Sequence, residues 1–219
     1  MELPAWTHRP PPPEPPVTRY ASPSTAWEDG AAVAPSPLAG AANLGRYRRG
    51  EIIHRLLQVL PDVAPDLRRG AAARLLAAQA ELTDAQRDEM AAAAFGVLDD
   101  PAFAEVFAPG SRPEVAIAGT APQLPADLRI SGRVDRLFVG PTRVLVADFK
   151  TNRPAPRRIG EADGAYVLQM ALYWAVLKTL FPERQVEAAL VWTDGPKLMA
   201  IPEELLTAAL VRLAEPVDR

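Results

Sequence analysis

The chain contains no cysteine. This absence excludes disulfides, thiolate catalysis and zinc or iron–sulfur sites held by cysteine. No apolar run approaches the roughly 18 residues that a membrane-spanning helix requires, and the first residues lack the charged and then apolar order of a secretory signal. No phosphate-binding loop of the Gly-x-x-x-x-Gly-Lys-Ser/Thr type occurs, so we expect no ATP site in this chain. These absences predict a cytoplasmic protein with no membrane partner.

Hydrophobic residues make up 48% of the 219 residues, which is enough for one well-buried domain and a tail. Prolines cluster near the N-terminus, with an uninterrupted run at Pro10–Pro13. Such a composition cannot bury enough apolar surface to fold alone and favours extended chain. We therefore interpret residues 1–43 as an extended or disordered linker and residues 44–219 as the folded domain. A ligand for an SH3 domain is the alternative interpretation of the proline run.

The net charge of −3 differs from that of most free-standing nucleic-acid-binding domains, which are basic. Two segments depart from this average, because residues 43–60 hold four arginines and one acid, and residues 150–158 hold four basic residues and no acid. Basic clusters of this kind can neutralise phosphates, and solvated surface charge is the alternative. The candidate phosphate contacts are Arg46, Arg49, Arg153, Arg157 and Arg158.

Hydrophobic periodicity and turn residues predict most of the secondary structure. Two apolar-rich runs, 130–139 and 142–149, are separated by Gly140-Pro141, a pair that favours a tight reversal and so predicts a β-hairpin. Thr83 and Gln86 form a capping-box pattern at the start of one helix. The other expected elements are helices over 44–60, 66–81, 84–98, 164–181 and 203–213 and strands over 113–119, 186–193 and 197–201.

Three charged residues gather at one end of the hairpin. Side chains alternate between the faces of a strand, so Asp148 and Lys150 point to the same face. Asp135 lies on the paired strand with 12 residues between it and Asp148, a separation that lets the hairpin bring the two carboxylates into one site. A carboxylate cluster is costly unless a cation neutralises it, and oxygen ligands suit Mg²⁺ or Mn²⁺.

Four sequence blocks, in this order, resemble the PD-(D/E)XK nuclease core in the form found at the C-terminus of RecB and AddA helicase-nucleases. A single D-x-K motif would be a weak signal, but four blocks in the expected order and spacing are a specific one. The lack of cysteines fits this branch better than the AddB type, which holds an iron–sulfur cluster. The blocks are Gly50–Leu57 (G-x-x-x-H-x-x-L), Gly132–Arg136 (GRVDR), Asp148–Lys150 (DFK) and Tyr166–Tyr173 (Y-x-x-Q-x-x-x-Y).

The resemblance implies an α/β fold with a central mixed β-sheet flanked by helices, an N-terminal helical part and a proline-rich tail. It implies a metal held by Asp135, Asp148, His54 and the backbone carbonyl of Phe149. From its spacing alone, His54 at the edge of an apolar helix face would be a packed residue rather than a ligand. Lys150 would position the attacking water or stabilise charge on the phosphate.

The remaining site residues have open roles. Glu114, at the start of the first long strand, would touch the metal through water or orient Lys150, and a solvated acid at a strand end is the alternative. Gln169 and Tyr173 would face the site or a phosphate, and a structural hydrogen-bond network is the alternative. Tyr166 would contact nucleic acid, since aromatic side chains stack on unpaired bases.

We therefore expect a metal-dependent, exonuclease-like DNA nuclease that acts on single strands at ends during double-strand break repair and recombination in the bacterial cytoplasm. The resemblance implies Mg²⁺ as cofactor with Mn²⁺ tolerated, no iron–sulfur cluster, a helicase portion in the same polypeptide and an AddB-like subunit. Two alternatives stay open, namely a non-catalytic DNA-end-binding module with this fold and a stand-alone nuclease of RNA or structured DNA.

Overall fold

The computed structural model describes residues 18–23 and 40–214, except the side chains of residues 40–47 and 214. A six-stranded sheet lies between two layers of helices. No helix among the described residues is both long and apolar enough to cross a membrane. In chain order the elements are β1 (Arg19–Ala21), α1 (Gly40–Val59), α2 (Arg68–Ala77), α3 (Asp84–Leu98), β2 (Arg112–Gly119), β3 (Leu128–Val139), β4 (Arg143–Lys150), α4 (Gly164–Leu180), β5 (Gln185–Trp192), β6 (Lys197–Ile201) and α5 (Glu203–Ala214).

The sheet is mixed, as predicted. Strand β3 pairs antiparallel with β2 and β4, β4 pairs parallel with β5, and β5 pairs antiparallel with β6. The predicted hairpin is confirmed as β3 and β4, in register from Val139↔Val144 to Arg136↔Ala147. The parallel β4–β5 pair is joined by α4, the crossover helix that such a connection requires.

Side chains of β4 alternate between two hydrophobic cores. Val144 and Val146 pack in the core under α4 and α5, whereas Leu145, Ala147 and Phe149 pack against α1, α2 and α3. A strand that is covered on both faces has no solvated side, which explains why β4 reads as a nearly continuous apolar run. The same alternation places Asp148 and Lys150 toward α4.

Helix α4 is apolar nearly all round because it is enclosed. It contacts strands of the sheet below it and α5 beside it, and its residues 169–177 are all buried. The indole of Trp174 donates to the backbone carbonyl of Val186 over 3.0 Å, which anchors the helix to β5. A polar residue on this helix is therefore held in place by its neighbours, as Gln169 is.

One part of the predicted linker is a strand. Residues Arg19–Ala21 form β1, which pairs parallel with the first residues of β3, and Arg19 forms an exposed ion pair with Asp127. The proline-rich composition of residues 1–43 hid this strand, because three residues can pair with a free sheet edge without any hydrophobic pattern of their own. Helix α1 also begins at Gly40, earlier than expected, and residues 1–17 and 24–39 lie outside the described residues.

The other boundaries differ from the predictions by a few residues. The largest difference concerns the helix expected over 66–81, which is a 3₁₀ turn at Pro65–Leu67 followed by α2. The capping box of α3 is confirmed, since Gln86 N–H donates to Thr83 Oγ1 over 3.3 Å and Thr83 N–H donates to the Gln86 side chain over 2.8 Å. The sequence pattern therefore located the start of α3 correctly.

Gly132 permits the closest approach of α4 to β3. A Cβ atom at this position would lie 2.4 Å from the hydroxyl oxygen of Tyr173, which is completely buried. We expect Gly132→Ala to lower the free energy of unfolding by about 1–3 kcal/mol, because a rigid ring in a close-packed core has nowhere to move. Urea unfolding measures this.

A second substitution tests whether the Tyr173 hydroxyl causes the loss of stability in Gly132→Ala. In a Tyr173→Phe background the cost of Gly132→Ala should be smaller, since the clashing oxygen is gone. Gly160→Ala is the matched control, because a Cβ there would meet nothing within 4 Å. Equal costs of Gly132→Ala in both backgrounds would contradict this interpretation of the contact.

Candidate active site

Strands β3 and β4 part at one end of their hairpin. Their pairing ends at Arg136↔Ala147, and at the next position the backbone N–H of Phe149 donates to the carboxylate of Asp135 over 2.7 Å. A side chain thus takes the place of a backbone partner, and the strands diverge. We call this parting of β3 and β4, between Asp135 and Asp148, the fork. It borders a cavity of about 340 Å³, which is lined by Pro23, His54, Arg133, Asp135, Asp148, Phe149, Lys150, Ala165, Tyr166 and Gln169.

His54 reaches the cavity from α1. Its Nδ1 lies 3.5 Å from Asp135 Oδ2, and its ring stands edge-on to Phe149 with the centroids 5.8 Å apart. Burial lowers the pKa of His54, but the hydrogen bond to Asp135 and the charges of Asp135 and Asp148 outweigh it, so the pKa is raised above its ordinary value. The imidazole therefore lies in a negative potential.

Gly50 allows α1 to approach the end of β4. A Cβ at this position would lie 2.9 Å from Thr151 Oγ1. The side chain of Thr151, in the segment that follows β4, therefore occupies the space over this turn of the helix. This close approach brings α1, which carries His54, next to the end of β4.

Asp148, Lys150 and Gln169 form a closed ring of polar contacts. Lys150 Nζ lies 2.7 Å from Asp148 Oδ2 and donates to Gln169 Oε1 over 3.1 Å, while Gln169 Nε2 donates to Asp148 Oδ1 over 3.3 Å. All three side chains are nearly buried. Burial raises the pKa of Asp148, and the charge of Asp135 adds to that rise against the opposing ammonium of Lys150.

Tyr166 covers this ring of contacts from α4. Lys150 Nζ lies over the Tyr166 ring, 3.8 Å from its centroid, a distance at which a cation is attracted to the face of an aromatic ring. The ring of Tyr166 in turn lies 6.2 Å from that of Trp192. The ammonium is therefore fixed by a carboxylate, an amide and an aromatic face.

Tyr173 lies behind the cavity rather than in its lining. Its hydroxyl donates to the backbone carbonyl of Arg133 over 3.0 Å, and burial raises the pKa of Tyr173 to about 12. The phenol is thus neutral at physiological pH and holds β3 in place next to Gly132. The catalytic role predicted for Tyr173 stays a prediction, and its observed contacts are those of a positioning residue.

Glu114 is a residue of β2 and lies opposite Asp135 of β3. Its neighbours pair in regular register as Pro113↔Arg136 and Val115↔Val134, but Glu114 itself has a φ of 52°. This left-handed backbone costs a non-glycine residue on the order of 1–3 kcal/mol. The carboxylate lies 3.7 Å from Arg133 and borders a separate opening next to His54. This position favours a contact on the His54 side of the site over the predicted contact with Lys150.

The predicted phosphate contacts nearest the cavity are already paired with acids. Arg49 forms a 2.7 Å ion pair with Glu89, and Arg153 pairs with Glu89 and, at 3.2 Å, with Asp194. Glu89 belongs to α3 and is distant from both arginines in the sequence, so no local sequence pattern predicted these ion pairs. These contacts join α1, α3 and the chain after β4, and they leave little free positive charge.

The two neighbouring arginines of the second basic segment, Arg157 and Arg158, differ in their ion pairs. Arg158 pairs with Glu161 at 2.9 Å. Arg157 is exposed, and within residues 18–23 and 40–214 its guanidinium forms no ion pair with an acid. The side chain of Arg46 lies outside the described residues. Arg157 is therefore the predicted phosphate contact whose charge is most available.

The sequence analysis missed Arg133. Its side chain lines the cavity and is 65% exposed. The signal was present, because strand alternation places Arg133 on the same face as Asp135, two residues later. Arg133 thus adds a cation at the cavity mouth.

Two carboxylates and one imidazole line the cavity, but their side chains do not converge on one point. In the described parts of the chain, no three histidine or acidic side chains are arranged around one common point. The reason is visible in the contacts, because Lys150 and Gln169 engage both oxygens of Asp148. A cation at this site would take over the Asp148 oxygen that Lys150 now holds.

Divalent metal should stabilise the protein through this site. A ligand at 100 times its Kd that binds only the folded state adds about 2.7 kcal/mol. We expect Mn²⁺ or Mg²⁺ to raise the Tm of the wild type and not that of Asp148→Asn, as measured by calorimetry with and without EDTA. Asp99→Asn, at the exposed residue that follows α3, is the control. An equal rise in all three proteins would place metal binding elsewhere.

Comparisons with known proteins bear on this geometry. A family model described as the PD-(D/E)XK nuclease superfamily matches residues 31–212, which include every residue that lines the cavity except Pro23. A search of curated proteins found no relative at the similarity that we required. A solved structure titled "Crystal structure of SSO0001" is 15% identical over 76% of this chain and 77% of that chain, with a TM-score of 0.31.

Proposed function

Since the chain belongs to the PD-(D/E)XK nuclease superfamily, we propose that it is a metal-dependent nuclease that hydrolyses phosphodiester bonds in single-stranded DNA. The observation that supports this most directly is the fork of β3 and β4. It brings Asp135, Asp148 and Lys150, the residues of the D…D-x-K pattern, into one cavity, with His54 and Gln169 beside them. The charged groups are held by fixed contacts, as catalysis by preorganised electrostatics requires.

The cavity residues fit a divalent cation. Burial and the nearby charge of Asp135 raise the pKa of Asp148, and a cation bound beside the two carboxylates would favour their charged forms. Asp135, Asp148, His54 and the carbonyl of Phe149 would hold the cation, with Mg²⁺ favoured by the oxygens and Mn²⁺ tolerated because of the imidazole. When bound, the cation would activate a water molecule and neutralise charge on the phosphate.

Lys150 and Gln169 have distinct roles in this proposal. Once Lys150 no longer pairs with Asp148, its ammonium can orient the attacking water or donate to a phosphate oxygen as the phosphorus–oxygen ester bond breaks. Gln169 can contact both Asp148 and Lys150, so it keeps them at a fixed separation during that exchange. Arg133 at the cavity mouth would contact the phosphate of the approaching strand.

We further propose that this nuclease works with a helicase, as RecB-like and AddA-like enzymes do, at DNA ends in double-strand break repair and recombination, with an AddB-like partner subunit. The support is the order of the four sequence blocks together with the charge of the domain. Arg49, Arg153 and Arg158 are neutralised by acids. A nuclease with little free positive charge binds DNA weakly, and tethering to a motor would raise the local strand concentration.

Cleavage assays test the core of the proposal. We expect the chain to cut end-labelled single-stranded DNA slowly with Mg²⁺, without ATP, and to cut blunt duplex poorly. Asp148→Asn should reduce cleavage to background. Lys150→Met should lose about 10²–10³-fold in rate, as when a charge-stabilising donor is removed, yet keep the metal-dependent rise in Tm.

Two further results of that assay separate the alternatives. DNA binding without cleavage by the wild type would favour a non-catalytic end-binding module. Efficient cleavage of RNA, or processive degradation of blunt duplex by this chain alone, would contradict the proposed dependence on a helicase. Asp99→Asn again serves as the control for a surface charge change.

The difference between Arg157 and Arg158 predicts their contributions to DNA affinity. We expect Arg157→Gln to weaken single-stranded DNA binding and to reduce the slope of log K against log salt by about 0.7, the value for one phosphate contact on a single strand. Arg158→Gln should change the slope less, because Glu161 already neutralises that guanidinium. Fluorescence anisotropy in EDTA at several salt concentrations measures both. Equal slopes in the two variants would contradict this assignment.

A further inference from the structure

A second cavity adjoins the fork and shares one wall with it. This second cavity has a volume of about 520 Å³, and its lining includes Asn152, Pro156, Arg157, Ala162, Tyr166 and Trp192. Tyr166 also lines the catalytic cavity, where its ring contacts Lys150. The side chain of Tyr166 thus borders both cavities.

The walls of the second cavity combine aromatic and apolar side chains with charged and amide side chains. Tyr166 and Trp192 lie with their ring centroids 6.2 Å apart and tilted by 60°. Prolines and alanines of the chain after β4 form much of the remaining lining, and Lys197 holds this segment by donating to the carbonyl of Pro156 over 3.2 Å. Trp192 is almost completely buried and Tyr166 is partly exposed, so Tyr166 is the ring available to stack on a base of any type.

The lining of the second cavity carries the guanidinium of Arg157 and the carboxylates of Glu161 and Asp163. Glu161 accepts the backbone N–H of Arg157 over 3.0 Å and pairs with Arg158, and Asp163 accepts the N–H of Ala165 over 2.9 Å. Glu161 is therefore offset by Arg158, whereas Asp163 caps α4 and forms no ion pair among the described residues. Within the described ranges the guanidinium of Arg157 has no acidic partner, so it is available for a phosphate of the same strand.

We propose that the second cavity binds the unpaired base of a nucleotide next to the phosphodiester that is cleaved. This inference rests on the proposed nuclease function and adds a source of strand selectivity to it. A base in a duplex is stacked and paired, so it cannot enter a side cavity unless it is first extruded. The second cavity would therefore favour single strands independently of any unwinding activity.

The shared wall also links base binding to the reacting groups. A base packed against Tyr166 restrains the ring on which the ammonium of Lys150 rests. An occupied second cavity thus limits the positions that Lys150 can take. The same restraint is absent for a strand that lacks a base at that position.

Abasic substitution tests this inference on the wild-type protein. A set of end-labelled single strands, each with one abasic nucleotide at a different position, is digested at substrate concentrations below KM with Mg²⁺. We expect cleavage to fall about ten-fold at one phosphodiester at a fixed offset from the abasic nucleotide, the loss for one missing stacked base, and to be unchanged at the other phosphodiesters. The unaffected bonds of the same strand are the internal control.

A variant that fills the second cavity identifies where the base binds. Ala162→Trp places a large side chain in the lining of the second cavity, and Ala162 does not line the cavity at the fork. It should lower cleavage of the intact strand about ten-fold and remove the dependence on the abasic position, because the base already has no place to bind. Ala73→Trp, at an exposed position of α2, is the matched control.

The outcomes separate this inference from the proposed function. A uniform cleavage pattern with every abasic strand would overturn the base-binding cavity while leaving the nuclease intact. A position-dependent loss that persists undiminished in Ala162→Trp would also overturn it, since the base would then bind elsewhere. An absence of any metal-dependent cleavage of nucleic acid would overturn the proposed function and this inference together.

Discussion

Two helices on opposite faces of a continuous sheet cannot contact the same side chains, because the sheet lies between them. Here α1 packs on one face and α4 on the other. The parting of β3 and β4 removes that barrier at one place. His54 of α1 then meets Asp135, and Gln169 of α4 meets Asp148, within one cavity. The hydrogen bond from Phe149 N–H to Asp135 keeps the strands apart without leaving a backbone donor unpaired.

The close packing of α4 and α1 against the sheet is linked to the parting of β3 and β4. A buried carboxylate needs compensation, so Lys150 and Gln169 must both reach Asp148, and α4 must lie close to the sheet. That closeness requires a glycine at position 132 and a buried hydroxyl at Tyr173. On the other face, the lack of a side chain at Gly50 sets the approach of α1 to the chain after β4.

The sequence was most informative where one residue's environment depends on its near neighbours. Strand alternation correctly placed Asp148 with Lys150, and the capping box of Thr83 was found from spacing alone. It was least informative where the partner is distant. The pairing of Arg49 and Arg153 with Glu89 depends on tertiary contacts between α1, α3 and the chain after β4. The left-handed backbone of Glu114 also has no signature, since glutamate is not among the residue types that favour it.

Strand β1 shows that the folded sheet and the family-matched region have different limits. The match spans residues 31–212, yet Arg19–Ala21 pair with β3, and Pro23 lies in the lining of the catalytic cavity. A version of the protein trimmed to the matched residues would keep the charged groups of the fork. It would lose one wall of their cavity and leave backbone groups at the start of β3 without their strand partner. The solvation of the buried carboxylates therefore depends on a segment that lies outside the region by which the family is recognised.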